Sequence, residues 1–164
     1  MPEAYDTLLR LIAASICGMV IGLNRDVNNK PMGMRTLGLV SLACALASVA
    51  AVHYADLDQH PDALSRVVQG VLQGVLAGIG FIGAGVILRD PGAGEVHGLT
   101  TAATVWVAAA LGVACAFAAW HLVFAGLGIA LFILIVMKPV ERLLVRLLNP
   151  DAQRDAEQTI STKS

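Results

Sequence analysis

Four groups of residues in this chain have types and spacings that could do chemistry. GMVIGLNRD, residues 18–26, ends on an amide, a guanidinium and a carboxylate in succession: Asn24, Arg25 and Asp26. GMRT, residues 33–36, adds Arg35 and Thr36. HGLTTAATVW, residues 97–106, carries Thr100, Thr101 and Trp106, and QGVLQGVL, residues 69–76, carries Gln69 and Gln73. The chemistry open to these groups is recognition rather than bond-making. A carboxylate and a guanidinium can pair across a loop, and Asp26 with Arg35 is the expected network. Threonines at a helix start can cap its free N–H groups, whose partial positive charge also suits a polar cavity. Glutamines within an apolar run could line a path for a small solute. No enzyme is expected, because no acid–base pair lies at depth and the Ser, His and Asp residues lack nucleophile-elbow spacing. GIGFIGAG is superficially a dinucleotide fingerprint, but that motif needs a preceding strand and a following helix, and here the flanks are apolar at membrane length. No metal or cofactor is expected either. Cys17, Cys44 and Cys115 each stand alone in an apolar run, and the four histidines lie near the expected span ends.

The frame that must position these groups is a membrane one. Of 164 residues, 57% are hydrophobic and only 14% charged, well under the quarter usual in soluble domains. No Asp, Glu, Lys or Arg occurs from Leu37 to Ala55, from Val67 to Leu88, or from His97 to Met137. About 20 apolar residues cross a bilayer. Five spans fit, giving an all-α, polytopic transmembrane helix bundle: about Leu8–Leu23, Leu37–Tyr54, Arg66–Leu88, and two within the run Leu99–Met137. As one helix that last run would be roughly 58 Å long, twice a hydrocarbon core, so it turns near Ala118–His121, with Trp120 at the interface. Arg10, near the outer end of the first span, is expected to snorkel. Glu3 and Asp6 stand where a cleaved signal peptide would be basic, so the first run reads as a retained span. With the N-terminus outside, nine of the 11 Lys and Arg residues fall on the inner side, against Arg10 and Arg66 outside. The expected orientation is N-out, C-in.

The third span holds an unusual number of glycines. Each costs roughly 1 kcal/mol relative to alanine in a helix, yet in lipid small residues let helices approach closely. At 100° per residue Gly70, Gly74, Gly78 and Gly85 share one face, a packing groove. Gln69, Gln73 and Gly80 share another, with Arg66 and Ala84 nearby. Gly78, Gly80, Gly83 and Gly85 are expected to pack against the span that opens with residues 98–103. After Met137, Val140, Leu143, Leu144, Leu147 and Leu148 share a face, with Glu141, Arg142 and Arg146 off it, as in a short interfacial amphipathic helix. The expected organisation is a membrane domain over 1–137, a cytoplasmic amphipathic helix over 138–150, and a disordered tail over 151–164.

Gly22-Leu23-Asn24-Arg25, Gly33-Met34-Arg35-Thr36, Gly78–Ile87 (GIGFIGAGVI) and Gly98–Ala103 (GLTTAA) with Trp106 together resemble the MgtC/SapB family, over roughly residues 8–137. The resemblance implies a bacterial inner-membrane protein associated with growth at low magnesium, acting on other membrane proteins such as the ATP synthase and cation uptake systems. The chain is similar to the shorter, SapB-like membrane-only form. It departs from the virulence type in carrying Gly98-Leu99-Thr100 where that type reads GLN, and the family's basic residue ahead of GIGF is here Arg66, about one turn further off.

Two functions follow. One is a non-enzymatic modulator that works by helix–helix contact in the bilayer, with another membrane protein or with a second copy of itself, and with no nucleic acid. The other is a small transporter or channel for a cation or neutral solute, lined by Gln69, Gln73 and Thr100. Against the second, no acidic residue is expected within any span, whereas a cation site usually has one or uses backbone carbonyls.

Overall fold

The computed structural model describes residues 2–54, 61–89 and 96–148. Five helices follow in chain order: α1 (Pro2–Val27), α2 (Met34–Tyr54), α3 (Pro61–Val86), α4 (Leu99–Ala116) and α5 (Trp120–Leu148). All five are long and apolar enough to cross a membrane, so this is a multi-pass membrane protein. Hydrocarbon offers no hydrogen bonds, so each span must satisfy its backbone internally, and a helix does so. Between α3 and α4 stand two-residue strands, β1 (Leu88–Arg89) and β2 (Val96–His97), paired antiparallel with Leu88 opposite His97.

The chain divides into two compact units, one through Gly128 and one from Ile129. In the first, α1, α2 and α4 pack on one another, and α3 packs on α4 and α2. The helix α4 is central: 56% of its span is buried, against 11% for α3. Its small residues allow this, with Ala102, Ala108, Ala109, Gly112, Cys115 and Ala116 all inside. A Cβ at Gly112 would collide with the Ser41 backbone of α2. A Cβ at Gly18 would sit 2.9 Å from Gly38 Cα, and one at Gly22 only 2.5 Å from Met34 Cα. No side chain fits at these three crossings. Val123 in the first turn of α5 is buried, and Gly126 lies against Leu111. In the second unit α5 runs on to Leu148 with Pro139 inside it.

The turns obey helix-end rules. At the end of α1, Asn29 takes a left-handed backbone (φ 51). Its N–H bonds the Asp26 carbonyl at 3.0 Å and the Lys30 N–H bonds the Arg25 carbonyl at 3.0 Å, the double closure of a Schellman motif. The same closure ends α4, where Ala118 (φ 53) is left-handed and Ala119 N–H bonds the Ala114 carbonyl at 3.0 Å. The hairpin expected near residue 118 is thus built on this one alanine.

Several sequence expectations shift. The α3 helix begins at Pro61 rather than Arg66, proline being well suited to a first helical turn. It runs unbroken through Gly78–Gly85. The expected groove of Gly70, Gly74, Gly78 and Gly85 packs against none of the described residues: a Cβ at any of them, or at Gly80, would meet none of their atoms within 4 Å. Only Gly83 reaches α4, where its Cβ would lie 3.6 Å from Ala102 and 3.9 Å from Trp106 Nε1. Helical spacing marks a groove without saying which neighbour fills it. Residues 138–148 are helical but continue α5, not a separate helix. The tail over 151–164 and the acidic segment at Asp56 and Asp58 lie outside the described residues.

Three substitutions, measured for stability on detergent-purified protein, check these assignments. Gly112→Ala should lower unfolding stability by about 1–3 kcal/mol through overpacking, while Gly74→Ala in the monomer should be neutral or raise it by up to about 1 kcal/mol through helix propensity. Ala118→Gly should raise the thermal midpoint, because an L-residue in the left-handed region costs roughly 1–2 kcal/mol.

Candidate functional site: a buried guanidinium at the start of α4

The residues singled out by type meet, in part, at one end of the first unit. There α1 finishes, α2 and α4 begin, and α3 finishes. Arg25, in the last turn of α1, turns inward and is only 4% exposed. Its Nη2 donates to the hydroxyl of Thr101, in the first turn of α4, and at 3.5 Å to the Pro31 carbonyl. Its Nε is buried without a partner. Thr101 is itself buried, and Thr104, also buried, donates to the Thr101 carbonyl at 2.7 Å. The α4 helix opens on Gly98, whose left-handed backbone (φ 92) and closeness to the Val86 carbonyl exclude a side chain. No side chain caps that end.

Asp26 faces the other way. Its carboxylate is exposed and accepts the Met34 N–H at 2.9 Å, capping the start of α2. A Cβ at Gly33 would run into this carboxylate, so a side chain there would have to displace the cap. Arg35 and Thr36 are exposed, and among the described residues no ion pair joins Arg35 to Asp26. The expected Asp26–Arg35 network is therefore replaced by a helix cap. Free backbone N–H groups at the start of α2 hold the carboxylate, while Arg35 points to the surroundings. Asn24 is half-buried, and its carbonyl accepts the Asn28 side-chain N–H at 2.7 Å.

The glutamine stripe does not join this cluster. Gln69 and Gln73 are exposed and stand 17 and 13 residues before the end of α3, roughly 20–25 Å away along its axis. Thr100 is exposed too, so Thr101 rather than Thr100 faces the interior. Trp106 is 40% exposed beside Gly83.

The opposite end of α4 holds a second arginine. Arg10 Nη1 donates to the Ala116 carbonyl at 2.8 Å, and its Nη2 pairs with Asp6 at 2.5 Å. It does not simply snorkel but caps the carbonyl end of α4, where a cation is favoured. Arg10 and Arg25 are 15 residues apart on α1, as Thr101 and Ala116 are on α4. That equal spacing is the signature of two antiparallel helices bolted at both ends. Sequence reasoning missed Ser41 and Ser48 of α2, both fully buried. Ser48 bonds the Cys44 carbonyl at 2.8 Å, while Ser41 Oγ has no partner. Their seven-residue spacing on one helix face was the available signal.

A five-helix membrane unit with small-residue crossings and a polar end formed by GLNR, GMRT and GLTTAA defines the class, and comparison with known proteins agrees. Residues 11–143 match the MgtC family, and the chain belongs to that family. It is 43% identical over 143 residues to the protein SrpB of Synechococcus elongatus, covering 82% of this chain and 76% of SrpB. It is 37% identical over 155 residues to the protein SapB of Bacillus subtilis, covering 93% of this chain and 63% of SapB. It is 35% identical over 111 residues to the protein MgtC of Salmonella typhimurium, covering 68% of this chain and 43% of MgtC. The chain thus spans less than two thirds of SapB and less than half of MgtC. No solved structure matches it.

Removing the cap tests the geometry. Asp26→Ala should cost about 1 kcal/mol of stability, and its effect should add to that of Arg35→Ala within about 0.5 kcal/mol, since the two side chains share no bond. A double-mutant cycle by thermal unfolding reads both.

Proposed function

We propose that this protein is a non-enzymatic modulator of other membrane proteins, working by helix–helix contact through α3 and linked to magnesium limitation or membrane energetics. The observation that carries the reading is the contrast between α4 and α3. The packed unit uses the small residues of α1, α2 and α4 on itself. The glycines of α3 at 70, 74, 78 and 85 have no atom within 4 Å of where a side chain would begin, and little of that helix is buried. In lipid such a face gains nothing from hydrophobicity and gains from close packing against another helix. The link to magnesium comes from family resemblance and belongs to the proposal. So do the placement in the bacterial inner membrane and the N-out, C-in orientation, which would turn the Arg25 end toward the cytoplasm. A transport path along Gln69 and Gln73 is disfavoured because both lie on the exposed surface of α3, away from the buried polar residues of the unit.

The test is a Gly74→Cys variant in native membranes, treated with a thiol-reactive crosslinker, alongside flux measurements on proteoliposomes of the unmodified chain. The expected result is a covalent product with a different membrane protein and no solute flux. Flux that Gln73→Leu abolishes would establish the transporter instead. A product at twice the chain's own mass, with no other, would restrict the face to self-assembly and overturn the modulator reading.

A further inference from the structure

The two arginines of α1 stand at opposite ends of α4, and their electrostatic settings are opposite. Arg10 sits at the carbonyl end of α4, where the helix dipole is negative, and Asp6 supplies a full countercharge. Arg25 sits at the amide end of the same helix, where the dipole is positive, and among the described residues no carboxylate pairs with it. Its two protein acceptors, a hydroxyl and a carbonyl, are neutral, and both bonds use Nη2. The carbonyl end of α1 offsets part of the charge, but only as a partial charge. Asp26, the adjacent acid, is turned outward and engaged at the start of α2. A guanidinium that is 4% exposed, with Nε unpartnered as it also is in Arg10 but with no carboxylate beside it among the described residues, is therefore held at a helix N-terminus without a side-chain cap. Two positive features converge, and among the described residues no carboxylate pairs with the guanidinium. A buried charge without a partner is strongly disfavoured, and buried charges are paired as a rule.

We propose that Arg25 and the first turn of α4, from Gly98 to Thr101, bind a phosphate-type oxyanion. The guanidinium Nε–H, which has no partner, can donate a charge-assisted bond to a phosphate oxygen, and the free N–H groups of a helix start favour the same anion. The neighbouring helix shows the principle in this molecule, with the Asp26 carboxylate on the Met34 N–H. The depth is also right. Arg25 lies two residues from the end of an α1 span that runs Glu3–Val27, and Gly98 immediately precedes the α4 span. The guanidinium therefore lies near the end of the candidate span rather than at its middle. The anion is either inorganic phosphate or the phosphate of a lipid headgroup. The site is distinct from the exposed face of α3, and it stands or falls independently of the modulator reading.

The experiment uses the full chain, purified in detergent and stripped of lipid, and follows thermal unfolding by tryptophan fluorescence. One arm compares potassium phosphate with potassium chloride at equal ionic strength. The other compares micelles doped with phosphatidic acid against micelles doped with diacylglycerol of the same acyl chains, which lacks only the phosphate. Wild type should gain about 2–5 °C in midpoint from one source, with broadening of the matching phosphorus resonance. A gain in the first arm assigns free phosphate, and one confined to the second assigns a lipid headgroup. Arg25→Gln should lose the gain and Arg25→Lys should keep part of it. If Arg25→Gln does not fold, Thr101→Val, which leaves the charge but frees its anchor, should at least halve the gain. Indifference of wild type to both sources, or a full gain in Arg25→Gln, overturns the proposal.

Discussion

Everything else in the first unit depends on how closely three helix backbones approach one another. Hydrocarbon gives helices no hydrophobic reason to associate, so close packing and a few interhelical hydrogen bonds must hold them. Gly18 and Gly22 bring α1 against the start of α2, and Gly112 brings α4 against Ser41 in the middle of α2. The contacts are backbone to backbone, so even a methyl group has no room. Because they lie at several heights, the three helices cannot slide past one another, and the residues at their ends meet in one arrangement.

That arrangement explains why Arg25 finds Thr101 and Arg10 finds the Ala116 carbonyl. Neither pair is close in sequence, and each relies on α1 and α4 running antiparallel in a fixed register. The two bonds repay the register they need, since interhelical polar contacts add to the packing. They differ in kind, however. Arg10 completes a helix end that lacked a cation, whereas Arg25 adds a cation to a helix end already positive. The first has an evident structural purpose. The second leaves a charge whose balance the described residues do not supply.

The α3 helix stands apart from this tight trio. It touches α4 through Gly83, Ala102 and Trp106 and leaves most of its glycines open. A glycine-rich helix is weak by propensity, and among the described residues little packing on this face offsets that cost. In this member of the MgtC family the packed trio and the open face of α3 are two separate surfaces.

Much of this was legible in one sequence. Charge-free runs set the five spans, and the length of the run from Leu99 to Met137 demanded the hairpin that Ala118 makes. The GLNR, GMRT and GLTTAA groups were visible as sites because polar residues at span ends are costly without a reason. What the sequence could not say was where each one points. Asp26 beside Arg35 looked like an ion pair, yet the carboxylate took the Met34 N–H, because a helix start offers a fixed donor and a surface arginine does not. Gly70, Gly74, Gly78 and Gly85 looked like the packing face, yet Gly18, Gly22 and Gly112 carry the packing. The sequence by itself determined the spans, their number and their amphipathic faces, since these follow from local hydropathy and helical period. Only the tertiary structure decided which faces meet, and with them the burial of Arg25 against Thr101, because such contacts depend on the register between helices far apart in the chain.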